Sequence, residues 1–408
     1  MAGAVTSPQK QSTEHDLNIA DLLAANIGDD RDPYSRYQVA RGEAAVQRVN
    51  HLGADVVMVY SYEHASTVLR DQERFSARIN GRWMRSLLGR TILEMDDREH
   101  FVHRRLIGHA FRPSIVGKWE DGLIRPTVAG LLDKIGPQGR AEMVREFTWQ
   151  MPVRVFASIL GVPSVDHARW QQWAIDLERA AIDRPRGKQA SKEVREYFEV
   201  VVAKRRANPS DDLISDLVAA EIEGERLPED VLHGFLRLLV PAGAATTYRL
   251  MGNLMLALLS DPSQLAAVRA DRALVAEAVE EALRWEAPVQ FAVRESLTDT
   301  ELGGVEIPAG AAVTACLGAA NRDPNRFPDP DRYDIHRTDK QHLTHMAFGD
   351  GVHRCLGEHL ARLEATVALN MILDRFDPLE LDPDGFDPHI VGYAFRSPNA
   401  VPIRFKAA

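Results

Sequence analysis

Two cysteines in 408 residues are too few for a disulfide framework. Cys316 and Cys355 fit a reducing cytoplasm better than an oxidising compartment. No apolar run is long enough to span a bilayer. Met1–Leu17 is polar and lacks the apolar core of a secretory signal. Positive charge is in deficit. Lys and Arg number 49 against 59 Asp and Glu, and the net charge of −10 argues against nucleic acid as the main partner. No internal repeat is evident. What remains is a chain 45% hydrophobic and 26% charged, as in ordinary globular proteins.

Helical periodicity dominates from Asp97 onward. It predicts helices near 98–111, 116–135, 143–161, 166–182, 190–206, 229–260, 263–269, 273–286 and 356–375. Val46–Asn50 and Val56–Tyr60 flank His51-Leu52-Gly53 as a hairpin. A strand-rich patch covers 290–315, and Phe386–Phe405 reads as extended. Residues 1–31 read as a flexible N-terminal tail, and 32–408 as a single large domain, mainly α with a small β-rich portion. The long helix Glu229–Ser260 carries Pro241 in its interior, followed by Gly243. Proline removes a donor for the Arg237 carbonyl, so a local break is expected there.

The stretch Phe348-Gly349-Asp350-Gly351-Val352-His353-Arg354-Cys355-Leu356-Gly357 is a glycine-rich loop delivering one cysteine to a helix start. Backbone N–H groups and the positive end of a helix dipole stabilise a thiolate. Gly349 and Gly351 allow positive φ and close approach. From the residues alone, an inert buried thiol is one alternative. Zinc, with His342, His345, His353 and His359 nearby, is another, although the spacing matches no common zinc pattern.

Six of these ten positions match the signature Phe-Gly-x-Gly-x-His-x-Cys-x-Gly, so the chain resembles the cytochrome P450 family. A chance match is on the order of one in a million. The likeness extends over nearly the whole chain from about Asp32. It implies a haem-thiolate monooxygenase of the soluble, cytoplasmic bacterial type without a membrane anchor. The implied cofactor is haem b with Cys355 as thiolate axial ligand, an arrangement that favours O–O cleavage.

Ala242-Gly243-Ala244-Ala245-Thr246-Thr247 resembles the family's oxygen-pocket motif. The resemblance makes Thr246 the catalytic residue that orients water. Ala245 stands where the family usually has an acid, which puts the usual proton relay in doubt. Thr246 bonding back to a helical carbonyl is the bland alternative. Glu281 and Arg284 match the family's Glu-x-x-Arg pair, with Arg332 or Arg337 as the downstream partner, and their implied role is structural. His100, Arg104, Arg294 and His353 are implied to hold the haem propionates.

Substrate-pocket candidates come from separated segments. They are Leu236, Leu239, Val240 and Gly243 on the long helix, then Val289, Gln290, Phe291 and Val293. Trp83, Met84 and Leu87 lie in an expected loop from Ile79 to Leu93, and Tyr393, Ala394 and Phe395 in the C-terminal turn. Together they suggest a mostly apolar small-molecule substrate. Electrons would come singly from NAD(P)H through a ferredoxin and ferredoxin reductase. Arg105, Arg112, Lys118, Arg354 and Arg362 are candidates for the docking face. Arginines at 78, 82, 85, 90, 184 and 186, with Lys188, suggest a basic rim that steers an anionic or carrier-tethered substrate. A peroxide-driven oxygenase, or a non-redox isomerase or dehydratase, would also tolerate Ala245. A non-catalytic haem-thiolate sensor is a second alternative.

Overall fold

The computed structural model describes residues 30–51, 54–222, 224–337 and 341–407. The turn of the expected hairpin, Leu52-Gly53, and residues 1–29 of the expected tail lie outside them. Asp30 and Arg31, the end of that expected tail, give their carbonyls to the Arg396 guanidinium.

The longer helices are α1 (Pro33–Glu43), α2 (Tyr62–Arg70), α3 (Ile79–Leu88), α4 (Asp97–Gly108), α5 (Arg125–Ile135), α6 (Gln150–Ile159) and α7 (His167–Glu178). They continue with α8 (Arg184–Ala207), α9 (Leu213–Ala219), α10 (Glu229–Ser260), α11 (Pro262–Ala270), α12 (Leu274–Trp285) and α13 (Glu358–Arg375). The strands are β1 (Val46–His51), β2 (Ala54–Val59), β3 (Phe75–Ser76), β4 (Arg140–Glu142), β5 (Glu221–Ile222), β6 (Glu225–Arg226) and β7 (Phe291–Ser296). After them come β8 (Thr300–Leu302), β9 (Val305–Ile307), β10 (Ala312–Cys316), β11 (Phe376–Leu381), β12 (Ile390–Val391), β13 (Ser397–Pro398) and β14 (Pro402–Ala407).

The main sheet has the order β1-β2-β10-β7-β3. Strand β10 runs parallel to β2 and antiparallel to β7, pairing Val313 with Arg294 and Cys316 with Phe291. A smaller sheet, β11-β14-β4, ties the C-terminus to the helical part.

Helix α10 is apolar on nearly all sides and runs through the core. The expected break at Pro241 does not occur, and α10 runs through it as one continuous helix. Neighbours packed on nearly every face hold it in place. Gly243 is where α6 crosses it, because a Cβ there would lie 2.4 Å from the Phe156 ring. The segment Ile79–Leu93 is also not the expected loop. Its apolar residues fall at helical spacing and form α3, which Gly89 ends at φ 79°. Among the described residues, no helix is long and apolar enough to cross a membrane.

Candidate active site

The cysteine loop is built before its helix begins. Gly349 and Gly351 adopt φ of 72° and 68°, conformations that favour glycine. Gly351 also passes over α2, where a Cβ would lie 2.6 Å from the Leu69 carbonyl oxygen. The Cys355 N–H donates to the Phe348 carbonyl at 2.9 Å, closing the loop. Asp350 anchors it to α2 by accepting from Ser66 Oγ and Arg70 Nε, each at 2.8 Å.

Cys355 is exposed to a cavity that the surrounding protein forms. Burial pushes its thiol pKa up, while the Gly357 N–H, Arg104 and Arg354 favour the thiolate. The cavity encloses about 250 Å³. One wall is α10 from Ala242 to Leu250, including Gly243, Thr246 and Thr247. The facing wall is the loop and the start of α13, including Phe348, Cys355 and Leu360. Val289 and Phe291 close one side.

Four donors converge near the loop, and none of them has a carboxylate as its hydrogen-bond partner. The His100 and His353 rings lie 4.0 Å apart, and the Nε2 atom of each is buried without a partner. Arg104 donates to the Arg354 carbonyl, and Arg294 to the Val293 carbonyl at 2.9 Å. Burial, then Arg104, lowers the His100 pKa to about 4. Burial, then His100, Arg294 and Arg104, lowers that of His353 to about 2. Burial lowers Arg294 to about 10, with Asp96 opposing. Such a cluster calls for anions.

An apolar slot, one accessible thiol, two imidazole nitrogens without partners and two guanidinium groups that meet only carbonyls fit a planar apolar ring carrying one axial ligand position and two carboxylates. Among the described residues, no group of three or more His, Cys, Asp or Glu could hold a bare metal ion.

Comparisons with known proteins agree. The Cytochrome P450 family model matches residues 181–390. Cytochrome P450 monooxygenase PikC of Streptomyces venezuelae is 36% identical, covering 97% of this chain and 97% of its own. The chain belongs to the cytochrome P450 family. The 6-deoxyerythronolide B hydroxylase of Saccharopolyspora erythraea is 34% identical over 87% of this chain and 91% of its own. Among solved structures, CYP109Q5 from Chondromyces apiculatus superposes with a TM-score of 0.84 at 37% identity, covering 93% of this chain and 96% of that one. P450BioI, solved in complex with hexadec-9Z-enoic acid ligated acyl carrier protein, gives 0.84 at 31%, covering 95% and 100%. This P450 is therefore a haem-thiolate monooxygenase with a cysteine thiolate ligand, and like its relatives it draws electrons from redox partners.

The pocket candidates divide. Gly243, Val289 and Phe291 line the cavity. Leu236, Leu239 and Val240 are buried in the core, N-terminal to the α10 wall. Tyr393, Ala394 and Phe395 back the wall. Tyr393 stacks on Phe291 at 4.9 Å, Phe395 bridges Val289, and the Ala394 carbonyl accepts from the Gln290 N–H. The Gln290 side chain is fully buried and donates to the Ala287 carbonyl at 2.8 Å, so it points away from the cavity. Val293 is partly buried on β7. Trp83 is 64% exposed, and Met84 and Leu87 pack on the core from outside.

Glu281 accepts two bonds from Arg284, each 2.7 Å, and one from Arg337 at 2.9 Å. Arg337 is thus the downstream partner, and Arg332 contributes only its carbonyl. A second brace was not read from the sequence. His345 and Arg362 meet Glu280, while Arg354 and Arg362 meet Glu358. Arg354 and Arg362 therefore brace the loop and are not free for a docking face. The basic rim is likewise largely compensated. Arg78 and Arg82 pair with Glu295, Arg85 with Glu94, Arg90 with Glu99 and Arg186 with Asp176.

Arg294→Gln is expected to weaken haem retention about ten- to a hundredfold, as for a charged hydrogen bond of ~1.5–3 kcal/mol. Haem transfer to an acceptor globin measures this. Arg105, exposed and lying over Phe101, is the control that should not change. The haem-free protein should also be acid-sensitive. The folded pKa of His100, about 4, lies below its unfolded value. Its stabilising contribution is full above pH ~6.5 and is lost as pH falls toward 4, by up to roughly 3 kcal/mol. Urea unfolding of His100→Gln against wild type across that window should show a shallower slope.

Proposed function

We propose that this P450 inserts one oxygen atom from O₂ into a mostly apolar small molecule held beside the α10 wall. The composition of the cavity carries this reading, because Thr246, Thr247 and Cys355 bring its only polar side chains. Bound haem supplies the oxygen activation. Cys355 would be its ligand, and His100, Arg104, Arg294 and His353 would hold its propionates. Thr246 would position water. Its hydroxyl donates to the Ala242 carbonyl at 3.3 Å, which leaves its lone pairs to accept a hydrogen bond from that water.

Residues 32–408 would form one haem domain, working in the cytoplasm with an iron–sulfur ferredoxin and its NAD(P)H-dependent reductase. Arg105, Arg112 and Lys118 are exposed, as are Phe101 and Val352, and they suit an acidic partner. Turnover with ferredoxin, reductase and NAD(P)H, after a library screen for substrate-induced spin shifts, tests the proposal. Thr246→Ala is expected to lower product formation roughly tenfold or more and to divert electrons to hydrogen peroxide. Unchanged coupling in that variant would remove Thr246 from the reaction.

One observation favours a second reading. Ala245 offers no acid, which suits catalysis driven by peroxide alone. Turnover with peroxide, and none with ferredoxin, would decide for it. A carrier-tethered or carboxylate-bearing substrate is a narrower form of the main proposal. It predicts substrate binding that loosens as salt rises.

A further inference from the structure

The chain holds eight tyrosines, and four of them cluster behind one wall of the cavity. Phe291 lines the cavity, and the Tyr393 ring lies 4.9 Å from it. Tyr37 lies 6.5 Å from Phe291 on the side of α1. Tyr34 and Tyr60 follow at 5.8 Å and 6.1 Å from Tyr37. Cys316 is the sheet partner of Phe291 and an electrostatic neighbour of Tyr37, Tyr60 and Tyr393. The most readily oxidised side chains of the sheet region are therefore contiguous, and Tyr393 reaches the surface partly exposed.

We propose that this tyrosine cluster is an oxidation-escape route, which draws oxidising equivalents from the cavity through Phe291 when a turnover fails. The oxidant is the haem centre after it has met hydrogen peroxide without substrate. Each event takes one electron and one proton from a phenol. Two such events, together with the protons, reduce the stranded oxygen atom to water. The electrons are restored at Tyr393 by a thiol or ascorbate reductant in solution.

Two features favour this route. The Tyr34 hydroxyl donates to Glu286 Oε1 at 2.6 Å, an oxygen that also accepts from Arg396 Nε at 2.7 Å, so a carboxylate lies within reach of the proton. The Arg322 guanidinium lies 3.5 Å from the centre of the Tyr34 ring and Arg396 lies 5.7 Å from it, which disfavours a positively charged ring. Oxidation there must release its proton, and Glu286 is the acceptor. With Ala245 in the place of an acid, reduced oxygen should leak as peroxide more often. Aromatic packing alone also explains a buried cluster. Tyrosine-to-phenylalanine changes separate the two, because they keep the ring and remove only the oxidisable phenol.

The experiment uses substrate-free holoenzyme whose carbon monoxide spectrum first confirms thiolate ligation. It is mixed with hydrogen peroxide and frozen within seconds for electron paramagnetic resonance. A tyrosyl signal is expected. After longer exposure, mass spectrometry should place hydroxylated or cross-linked tyrosine on residues 34, 37, 60 and 393, and sulfinic or sulfonic acid on Cys316. The double variant Tyr37→Phe, Tyr393→Phe should lose the signal severalfold and bleach its haem severalfold faster, with unchanged melting temperature. Tyr197→Phe, distant in α8, should match wild type. The proposal is overturned by wild-type radical yield and haem survival in the double variant. It is equally overturned by oxidation spread evenly over the eight tyrosines or centred on Tyr248 and Trp149.

Discussion

Cys355→Ala protein should show no strongly red-shifted Soret band when reduced under carbon monoxide, and no monooxygenase activity. Cys355 faces the cavity, with the Gly357 N–H, Arg104 and Arg354 favouring its anion. Cys355 would hold the haem iron, whose charge would favour the thiolate against the opposing effect of burial. Cys316 cannot take over. It is fully buried in β10, and burial pushes its thiol pKa up to about 12. Cys316→Ala should therefore leave the band intact. A band that survives in Cys355→Ala and disappears in Cys316→Ala would reverse the assignment.

What the sequence made legible follows the range of the interactions involved. The cysteine loop is local and dense in glycine, so ten adjacent residues announced it. The buried helices α10 and α12 were equally plain, because long apolar periodicity needs no partner to be seen. Helices α1 and α2 were missed despite readable start signals. Asp32 accepts from the N–H groups of Tyr34 and Ser35, and Ser61 from that of His64. Helix α3 is not the expected loop, although its apolar residues Ile79, Trp83, Met84, Leu87 and Leu88 share one face; it is short, and its N-cap Arg78 makes no side-chain capping bond. The second brace was hidden for another reason. Glu280, His345, Glu358 and Arg362 are ordinary charged residues separated by up to 82 positions, and only the fold brings them together. Among the pocket candidates, Gln290 and Phe291 show the limit. They are neighbours in sequence, but Gln290 precedes β7 and turns back onto the Ala287 carbonyl, whereas Phe291 opens the strand at the cavity.

Glu281→Gln is expected to be the most damaging substitution outside the cysteine loop. Glu281 and Arg284 have no exposed side-chain surface, and the side chain of Arg337 has 7%. Removing the one carboxylate strands two guanidinium groups away from water. Breaking a buried pair in this way costs about 3–5 kcal/mol, a large part of the ~5–15 kcal/mol that holds a domain together. The damage should travel to the haem. Arg284 donates to the Asn321 carbonyl at 3.0 Å, and the Asn321 side chain accepts from the Met346 N–H at 2.6 Å, two residues before the loop begins at Phe348. Haem content should therefore fall before global unfolding, as urea titration followed by Soret absorbance and by circular dichroism would show. Two further variants locate the effect. Arg337→Ala removes a side chain that reaches Glu281 and should destabilise strongly. Arg332→Ala keeps the only group that Arg332 contributes, its carbonyl, and should stay within about 0.5 kcal/mol of wild type. Equal losses from both would mean that the segment, and not the ion pair, is what braces the cysteine loop.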